Sequence, residues 1–347
     1  MIDKKNIIRL GLILLVLAVL TILNNTMGKY EIRILNLAGI YIILGLSLNV
    51  INGFTGLFSL GHAGFMAIGA YTSSLLTMSV IQKESNFFVE PIVPWLANVQ
   101  IGFLPALLFG GILAAVLGAM IAAPILKLTD DYLAIATLGF SEIIRVIFTN
   151  TQSLTNGALG IKGLTRYTTV HYTWGIAILT ILFMFSLRKS SYGKALMAIR
   201  EDQTAAEAMG INLFKHKLLA FTIGSFFAGI GGGLLAHLMG TIDPLMFRFL
   251  LTFNVLLIVV LGGIGSISGT VISAIVVTIM LEWLRFLDGV IDLGFMTIQG
   301  IPGLRMVLFS LLLMVVIIFK QNGLMGRDEI TIDSLGGFFA RFRKKEA

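Results

Sequence analysis

Two pairs of acidic and basic residues lie within apolar sequence, at a spacing that could support chemistry inside a membrane. Glu142 and Arg145 stand three positions apart, and Glu282 and Arg285 repeat that spacing. Residues three apart lie on one face of a helix, so each acid can pair with its base. A proton relay would need acids without a permanent partner, so the spacing favours a structural ion pair for Glu142 with Arg145 and an interfacial pair for the second.

The other reactive side chains do not form an enzymatic set. The 347 residues include no cysteine, which excludes thiol chemistry and disulfides, and four scattered histidines suggest neither a metal cluster nor a nucleophile with its base. The closest approach to a nucleotide-binding loop runs from Tyr192 to Ala195. It lacks the upstream glycine and the hydroxyl residue that must follow Lys194. Any nucleotide energy must therefore come from another chain.

Two glycine-rich interruptions divide otherwise apolar sequence. The first reads NGFTGLFSLGHAGFMAIG over 52–69, and the second reads GGIGSISG over 262–269. Such glycine density in a membrane segment predicts either close helix packing or unwound backbone that lines a polar cavity. If it lines a cavity, the candidate pathway residues are Ser59, Gly61, His62, Gly64, Gly262, Gly263 and Gly265.

His62 stands where a helix is expected to begin after the first interruption. The free N–H groups and positive dipole end of that helix could receive an amino-acid carboxylate, with His62 and Ser59 along the path. A histidine here can also lie at the cytoplasmic interface or make a packing hydrogen bond, and we favour this second interpretation. His237, in a later apolar run, is expected to be packed.

The elements that must position these residues are membrane-spanning helices. The composition is 57% hydrophobic and 12% charged, with a mean hydropathy of +0.95. Apolar windows of about 20 residues match the length that a helix needs to cross roughly 30 Å of hydrocarbon, where open sheets are excluded. We expect one all-α polytopic membrane domain over 1–347, with about ten spans near 7–23, 32–51, 63–80, 101–123, 131–150, 172–187, 217–239, 251–264, 267–286 and 304–320. The spans at 251–264 and 267–286 could instead form one kinked helix with a re-entrant piece.

The distribution of basic residues predicts the orientation of these spans. With the N-terminus in the cytoplasm, ten spans place sixteen basic residues inside and seven outside, and the other two of the 25 lie within spans. This bias follows the positive-inside rule and puts both termini in the cytoplasm. The net charge of +7 then serves orientation rather than nucleic-acid binding. The cytoplasmic tail, 321–347, could lie on an anionic leaflet or be disordered.

A polar interval from Arg188 to Lys217 separates two apolar blocks, and we expect a cytoplasmic loop over 188–216. Asp202 can cap a short helix over 203–209, and Gly210 can end it in the left-handed conformation. Small side chains on one face, with acids for orientation, suit docking of a partner better than catalysis. The candidate coupling residues are Asp202, Ala206, Glu207, Ala208 and Gly210.

Four stretches of the chain, in order, are similar to one transporter family. They are LSLNVINGFTGLFSLGHAGFMAIGAYT, DDYLAIATLGFSEIIRV, AIREDQTAAEAMGINLFKHKLLAFTIGSFFAGIGGGLLAHL and VVLGGIGSISGTVISA. They resemble the permease subunits of branched-chain amino-acid ATP-binding-cassette (ABC) importers, especially the LivM type, over most of 40–285. The resemblance implies that the loop with Glu207, Ala208 and Gly210 is an EAA-type coupling loop that docks into an ATPase subunit.

The same resemblance implies the rest of an assembly. Members of this family work with a second permease of LivH type, two ATPase subunits that bind ATP and magnesium, and an extracytoplasmic substrate-binding protein. This chain would then be a non-catalytic subunit without a cofactor of its own, in a bacterial or archaeal cytoplasmic membrane. It would form half of the translocation pathway for branched-chain amino acids.

Two alternatives to this assignment stay open. Importers of urea or short amides share the same motifs, and the sequence does not separate the two cargoes. An ion-coupled carrier acting alone belongs to a different class, and it would need unpaired acids within the membrane.

Overall fold

The computed structural model of this chain describes residues 11, 18–128, 130–285, 291–292, 297–298, 303–320, 323–326 and 329. Most of the described residues are helical. The helices are α1 (described over 18–26), α2 (Lys29–Asn49), α3 (His62–Thr77), α4 (Val80–Asn86), α5 (Pro94–Ala97), α6 (Phe103–Ile125), α7 (Asp130–Asn150), α8 (Gln152–Thr155), α9 (Val170–Lys189), α10 (Ser191–Glu201), α11 (Gln203–Ala208), α12 (Leu213–Met239), α13 (Phe249–Gly262), α14 (Ile267–Trp283) and α15 (Leu304–Phe319).

Three other kinds of element complete the described structure. A π-helical turn, Val50–Phe54, continues α2, and 3-10 turns occupy Gly157–Leu159 and Pro244–Phe247. Two strands of two residues each, Ile291–Asp292 and Thr297–Ile298, pair in antiparallel register.

Five helices in the described part of the chain are long and apolar enough to cross a membrane. They are Lys29–Phe54, Phe103–Ile125, Tyr132–Asn150, Val170–Lys189 and Leu213–Met239. The fold is therefore consistent with a helical polytopic membrane protein, while the count of ten spans and the cytoplasmic termini stay predictions. The predicted span at 7–23 and the predicted tail at 321–347 fall largely outside the described residues.

The region predicted as two short spans or one kinked helix forms two separate helices. α13 ends at Gly262 and α14 begins at Ile267, and the two helices pack against each other. The turn between them contains Gly263 with φ +109° and Gly265 with φ +91°, which favour glycine because a side chain is strained at such angles. The chain therefore reverses at the second interruption instead of bending within one helix.

α2 lies at the centre of the bundle. It contacts α9, α12, α13 and α14, and apart from Tyr41 all its residues from Ala38 to Asn49 are buried. A helix that is apolar on every side lies either in lipid or in a protein core, and neighbouring helices cover this part of α2. The first interruption, which follows α2 directly, is consequently held within the bundle.

Glycines bring α3, α6 and α12 into backbone contact. A Cβ atom added at Gly69 in α3 would overlap the carbonyl oxygen of Gly229 in α12, and one added at Gly110 in α6 would lie 2.9 Å from the oxygen of Gly69. Lipid supplies no hydrophobic drive for helix association, so close van der Waals packing of small residues holds such helices together. Glycine density in α3 and α12 therefore reflects packing.

The segment that follows α3 contains the two short helices α4 and α5. Lys83 in α4 is buried and donates from Nζ to the backbone oxygens of Leu96 at 2.8 Å and Val99 at 2.5 Å. Burial lowers the pKa of Lys83, because an ammonium loses solvation there, and the two carbonyls offset part of that cost. Trp95, in α5, is 70% exposed.

Candidate functional site

The short helix α11 has the caps that its sequence predicts. Asp202 Oδ1 accepts a hydrogen bond from Ala205 N at 2.9 Å, which satisfies a free N–H group of the first turn. Gly210 has φ +83°, and Ile211 N donates to Ala206 O at 3.1 Å across the end of the helix. This pattern is a left-handed C-terminal cap. α11 ends at Ala208, one residue earlier than predicted.

One of the residues predicted for the docking surface of α11 is buried instead of exposed. Ala206 is 3% exposed and faces the protein, so it cannot offer a docking surface. Glu207, Ala208 and Met209 are exposed, with Met209 at 83%. Because an α-helix repeats about every 3.6 residues, a helix of six residues that packs Ala206 inward must turn its neighbours outward. The exposed residues keep their candidate role, and Ala206 instead anchors α11.

A second helix, α10, precedes α11 in the polar interval and is not among the predicted elements. Ser190 caps it by accepting from Gly193 N at 3.2 Å, and its buried residues are Gly193, Leu196 and Ile199. A serine followed by apolar residues three apart is a recognisable signal of a capped amphipathic helix. The polar interval thus consists of two helices, and α10 connects α9 to α11.

Arg200, near the end of α10, joins this interval to both glycine-rich interruptions. Its Nη1 donates to Gly53 O at 2.8 Å, and its Nη2 pairs with Glu201 at 2.8 Å. A Cβ atom added at Gly56 would lie 2.8 Å from Arg200 Cγ, and one added at Gly265 would overlap Nη1. The Arg200 side chain therefore occupies space that the glycines of both interruptions leave open, two residues from the Asp202 cap.

The two interruptions also contact each other through Asn49. Its Oδ1 accepts from Gly265 N at 2.8 Å, and a Cβ atom added at Gly53 would lie 2.6 Å from that same nitrogen. Gly262 packs against Gly269 at a distance that excludes side chains, since its Cβ would lie 2.6 Å from the Gly269 carbonyl. The glycines of the second interruption therefore form a close helix contact and a turn. Asn49 is not among the site residues that the sequence predicts.

His62 begins α3, as predicted, and makes a packing hydrogen bond. Its Nε2 lies 2.8 Å from Ser47 Oγ, and that hydroxyl donates its own proton to Leu44 O at 2.7 Å. With its proton given to Leu44 O, the hydroxyl accepts a hydrogen bond from Nε2 of the ring. His62 is fully buried. This contact agrees with the packing interpretation rather than the interfacial one.

The N-terminus of α3 is already partly satisfied by neighbouring helices. Ala63 N donates to Thr252 Oγ1 at 2.9 Å, and Leu60 N donates to Thr137 Oγ1 at 3.0 Å. Gly61 and Gly64 allow α7 to approach, because an added Cβ would lie 2.5 Å from Thr137 O and 3.0 Å from Ser141 Cα respectively. One N–H group of the predicted carboxylate position, that of Ala63, therefore already has a threonine hydroxyl as its partner.

Three buried polar atoms near the first interruption have no hydrogen-bond partner in the described part of the chain. They are Asn52 Nδ2, Ser59 Oγ and His62 Nδ1. Buried polar groups are nearly always hydrogen-bonded, so unpaired ones indicate a place for water or a passing solute. Ser59 and His62 are pathway candidates that the sequence predicts, whereas Asn52 is not among them.

The acid–base pairs have the geometry expected of ion pairs. Arg145 Nε donates to Glu142 Oε2 at 2.7 Å within α7. Arg285 Nη1 donates to Glu282 Oε1 at 2.7 Å, and that oxygen also accepts from the Tyr30 hydroxyl at 2.5 Å. Both acids are thus already engaged with a neighbouring base.

Glu329, in the segment predicted as a tail, binds the second interruption. Its carboxylate accepts from Ile267 N at 2.7 Å, from Ser268 N at 2.9 Å and from Ser268 Oγ at 2.6 Å, and it pairs with Arg188. A carboxylate at a helix N-terminus is stabilised by the free N–H groups and by the helix dipole. Glu329 therefore links the end of α9 to the start of α14, a contact that no sequence signal indicated.

Comparisons with known proteins agree with the helical membrane architecture. The family described as "Branched-chain amino acid transport system / permease component" matches residues 30–319. The chain is 35% identical over 306 residues to the high-affinity branched-chain amino acid transport system permease protein LivM of Escherichia coli (strain K12), covering 78% of this chain and 67% of that protein.

More distant relatives include both permease types. The probable branched-chain amino acid transport permease protein LivM of Methanocaldococcus jannaschii is 28% identical over 84% of this chain and 92% of its own length. The high-affinity permease protein LivH of Salmonella typhimurium is 24% identical over 85% of this chain and 94% of its own length. No solved structure gave a significant match.

Proposed function

This chain belongs to the permease-component family of branched-chain amino acid transport systems, and we propose that it couples an ABC importer's ATPase subunits to amino-acid translocation. In this proposal the chain is a LivM-type subunit that forms half of a pathway for branched-chain amino acids across the cytoplasmic membrane. It performs no catalysis itself, and ATP with magnesium binds to the partner ATPase chains. Glu207 and Ala208, both exposed on α11, contact one of those chains.

The hydrogen bond from Arg200 Nη1 to Gly53 O, 2.8 Å long, is the observation that carries the proposal. A coupling segment must transmit displacement to the membrane helices, and contiguous hydrogen bonds and packed side chains are the physical means. Lys217 Nζ also donates to Gln203 Oε1 at 2.7 Å, which ties α11 to the first turn of α12. Displacement of α11 therefore reaches both α12 and the two interruptions.

The first interruption supports a polar pathway beside this connection. Asn52, Ser59 and His62 hold unpaired polar atoms in an otherwise apolar interior. A pathway that must release its cargo needs groups that can exchange hydrogen bonds, and groups without fixed protein partners can do so. Motion of Gly53 would change the spacing around these residues, because Asn52 precedes it directly.

The expected partners follow from the family and from the chain's own relatives. A second permease of LivH type supplies the other half of the pathway, since permeases of both types are relatives of this chain. Two ATPase subunits and an extracytoplasmic substrate-binding protein complete the assembly in this proposal. Both termini of the chain lie in the cytoplasm, as the distribution of basic residues predicts.

The test is reconstitution of the chain with its partner subunits in lipid vesicles. We expect uptake of labelled leucine that requires ATP and every subunit, with no uptake by the chain alone under an ion gradient. Ion-driven uptake by the chain alone would contradict the proposal and establish the carrier alternative. ATP-dependent uptake of urea in place of leucine would leave coupling intact and reassign the cargo.

A further inference from the structure

A basic cavity of about 240 Å³ lies at the first two turns of α2. Four of the lining residues belong to α2, and their spacing puts them on one face of that helix. The other lining residues come from the segment before α9 and from the end of α12. The lining residues are Lys29, Ile32, Arg33, Asn36, Arg166, Thr168 and Leu238. This cavity is separate from the interruptions and from α11, and the proposed coupling does not use it.

Three cations surround this cavity without a counter-ion. Lys29, Arg33 and Arg166 form no ion pair in the described part of the chain, and the described lining holds no carboxylate. All three side chains are exposed, so water screens much of their mutual repulsion, and the positive potential that they share at the cavity attracts an anion. The predicted orientation puts all three residues outside, where basic residues are the minority, so the orientation of the helices does not explain them.

Asn36 provides a second and independent feature at the same cavity. The residue is 2% exposed, its Nδ2 donates to Ile32 O at 3.0 Å, and its Oδ1 has no partner in the described structure. A buried amide oxygen without a donor is unfavourable, so the cavity suits a ligand that brings an N–H group. A simple anion would neutralise the cations but leave this oxygen unsatisfied.

The remaining lining limits the size and character of the ligand. Ile32 and Leu238 are apolar, and Thr168 already donates its hydroxyl proton to Leu234 O at 2.8 Å. The volume lies below the roughly 300–1,000 Å³ of pockets for drug-sized ligands, so it admits a molecule of amino-acid size. An anionic group, a nearby ammonium and a short apolar side chain are the features that match this lining.

We propose that this cavity binds one free amino acid as a zwitterion, with Lys29, Arg33 and Arg166 around its carboxylate and Asn36 Oδ1 accepting from its ammonium. Ile32 and Leu238 then contact the aliphatic side chain. The identity of this ligand as transported cargo rests on the proposed function, whereas the site itself rests on the charges and the unpaired oxygen. A phosphatidylethanolamine headgroup carries the same pair of charged groups and is the other source of this chemistry.

The absence of native cysteine allows a direct test by thiol labelling. A Leu238→Cys variant is reconstituted with its partner subunits in phosphatidylcholine nanodiscs, and the labelling rates of an anionic and a cationic methanethiosulfonate are compared. We expect the anionic reagent to react about tenfold faster, because a focused positive potential raises the local concentration of anions. Arg33→Gln and Arg166→Gln, added singly, each lower that ratio.

Ligand protection then identifies the chemistry of the site. Leucine is expected to slow labelling of Cys at 238 more than isocaproate, which lacks the ammonium, or isoamylamine, which lacks the carboxylate. Asn36→Leu removes the advantage of leucine over isocaproate and leaves isocaproate protection in place. A Leu245→Cys variant, exposed and outside the cavity, serves as the control and shows no protection. Ile32→Cys is the second labelling position if Leu238→Cys does not fold.

Several outcomes would overturn the inference. Equal labelling rates for the two reagents would contradict the basic site, and equal protection by leucine and isocaproate in the native background would contradict the role of Asn36. Protection by phosphatidylethanolamine in the nanodisc, with no effect of leucine, would assign the cavity to lipid. Failure of the proposed function would instead appear as a loss of ATP-dependent leucine uptake in the unmodified complex, whatever the labelling result.

Discussion

Asn49 Oδ1 accepts a hydrogen bond from Gly265 N at 2.8 Å, although 216 residues separate the two in sequence. The same side chain donates from Nδ2 to Ser266 O and Thr270 Oγ1, each at 3.0 Å. The turn around Gly265 lies between two helices, so its N–H group has no partner within a helix and depends on this amide. Asn49 consequently holds the second interruption against the end of α2.

Asn49→Leu should destabilise the protein by about 1–3 kcal/mol, because it leaves the buried Gly265 N–H unsatisfied. The measurement is thermal unfolding in detergent, compared with Asn150→Leu at the exposed end of α7. The control should unfold close to the native temperature. Equal midpoints for the two variants would show that Asn49 does not support the turn.

Arg200→Gln should reduce leucine uptake by the reconstituted complex while ATP hydrolysis continues. The variant loses the charged donor to Gly53 O, and loss of a coupling free energy of typical size corresponds to roughly 5- to 150-fold. Uptake per ATP hydrolysed is the quantity to measure. Lys194→Gln removes an equal charge from an exposed position of the same helix and should behave as the native chain. A normal ratio in Arg200→Gln would remove Arg200 from the transmission path.

Glu207→Lys and Gly210→Pro should each uncouple ATP hydrolysis from uptake without impairing membrane insertion. Glu207 is exposed on α11, where charge reversal opposes docking, and Gly210 has φ +83° whereas proline holds φ near about −65°. Thr204→Ala, at an exposed position of α11, is the control and should leave uptake unchanged. Normal uptake in both test variants would remove the coupling assignment from α11.

Arg188 and Glu329 should show energetic coupling in a double-mutant cycle. Their side chains are 25% and 12% exposed, so solvent screens this pair only in part. Arg188→Gln and Glu329→Gln together should cost less than the sum of the single changes, by about 0.5–3 kcal/mol. The cycle at Glu282 and Arg285, whose arginine is 55% exposed, should give a smaller value. Additive effects at Arg188 and Glu329 would contradict the ion pair.

Gly69→Ala should disrupt the packing of α3 against α12, since the new methyl group would overlap the Gly229 carbonyl. Overpacking of this kind costs about 1–3 kcal/mol, and the thermal midpoint should fall accordingly. Gly139→Ala is the matched control, because nothing lies within 4 Å of the added Cβ in α7. That control should be neutral or stabilising by up to about 1 kcal/mol, as helices favour alanine. Equal loss in the two variants would contradict glycine packing at Gly69.

The class of protein could be predicted from sequence because it depends on local composition. Long apolar windows require helices in lipid, and the family resemblance on four motifs agrees with the matched family. The caps of α11 could also be predicted from sequence, because Asp202 and Gly210 act on backbone groups within a few residues of themselves. Predictions of this kind need only the residues on either side.

The contacts that organise the candidate site depend on tertiary structure. Arg200 reaches Gly53 across 147 residues, and Asn49 reaches Gly265 across 216. Sequence alone could not choose between close packing and unwound backbone for the interruptions, because that choice depends on which helix lies opposite each glycine. Gly69 proved to contact a helix, whereas Gly265 lies in a turn beside Arg200.

Individual residues also have some properties that local sequence determines and others that only packing determines. The sequence by itself determined that 203–209 would contain a capped helix, but only packing decided that Ala206 faces inward and that α11 ends at Ala208. It determined that Lys29, Arg33 and Arg166 are basic, and only the fold brought them around one cavity. Hydropathy and capping act over a few neighbouring residues, whereas the burial and partners of a side chain depend on segments that are distant in sequence and adjacent only after the helices pack.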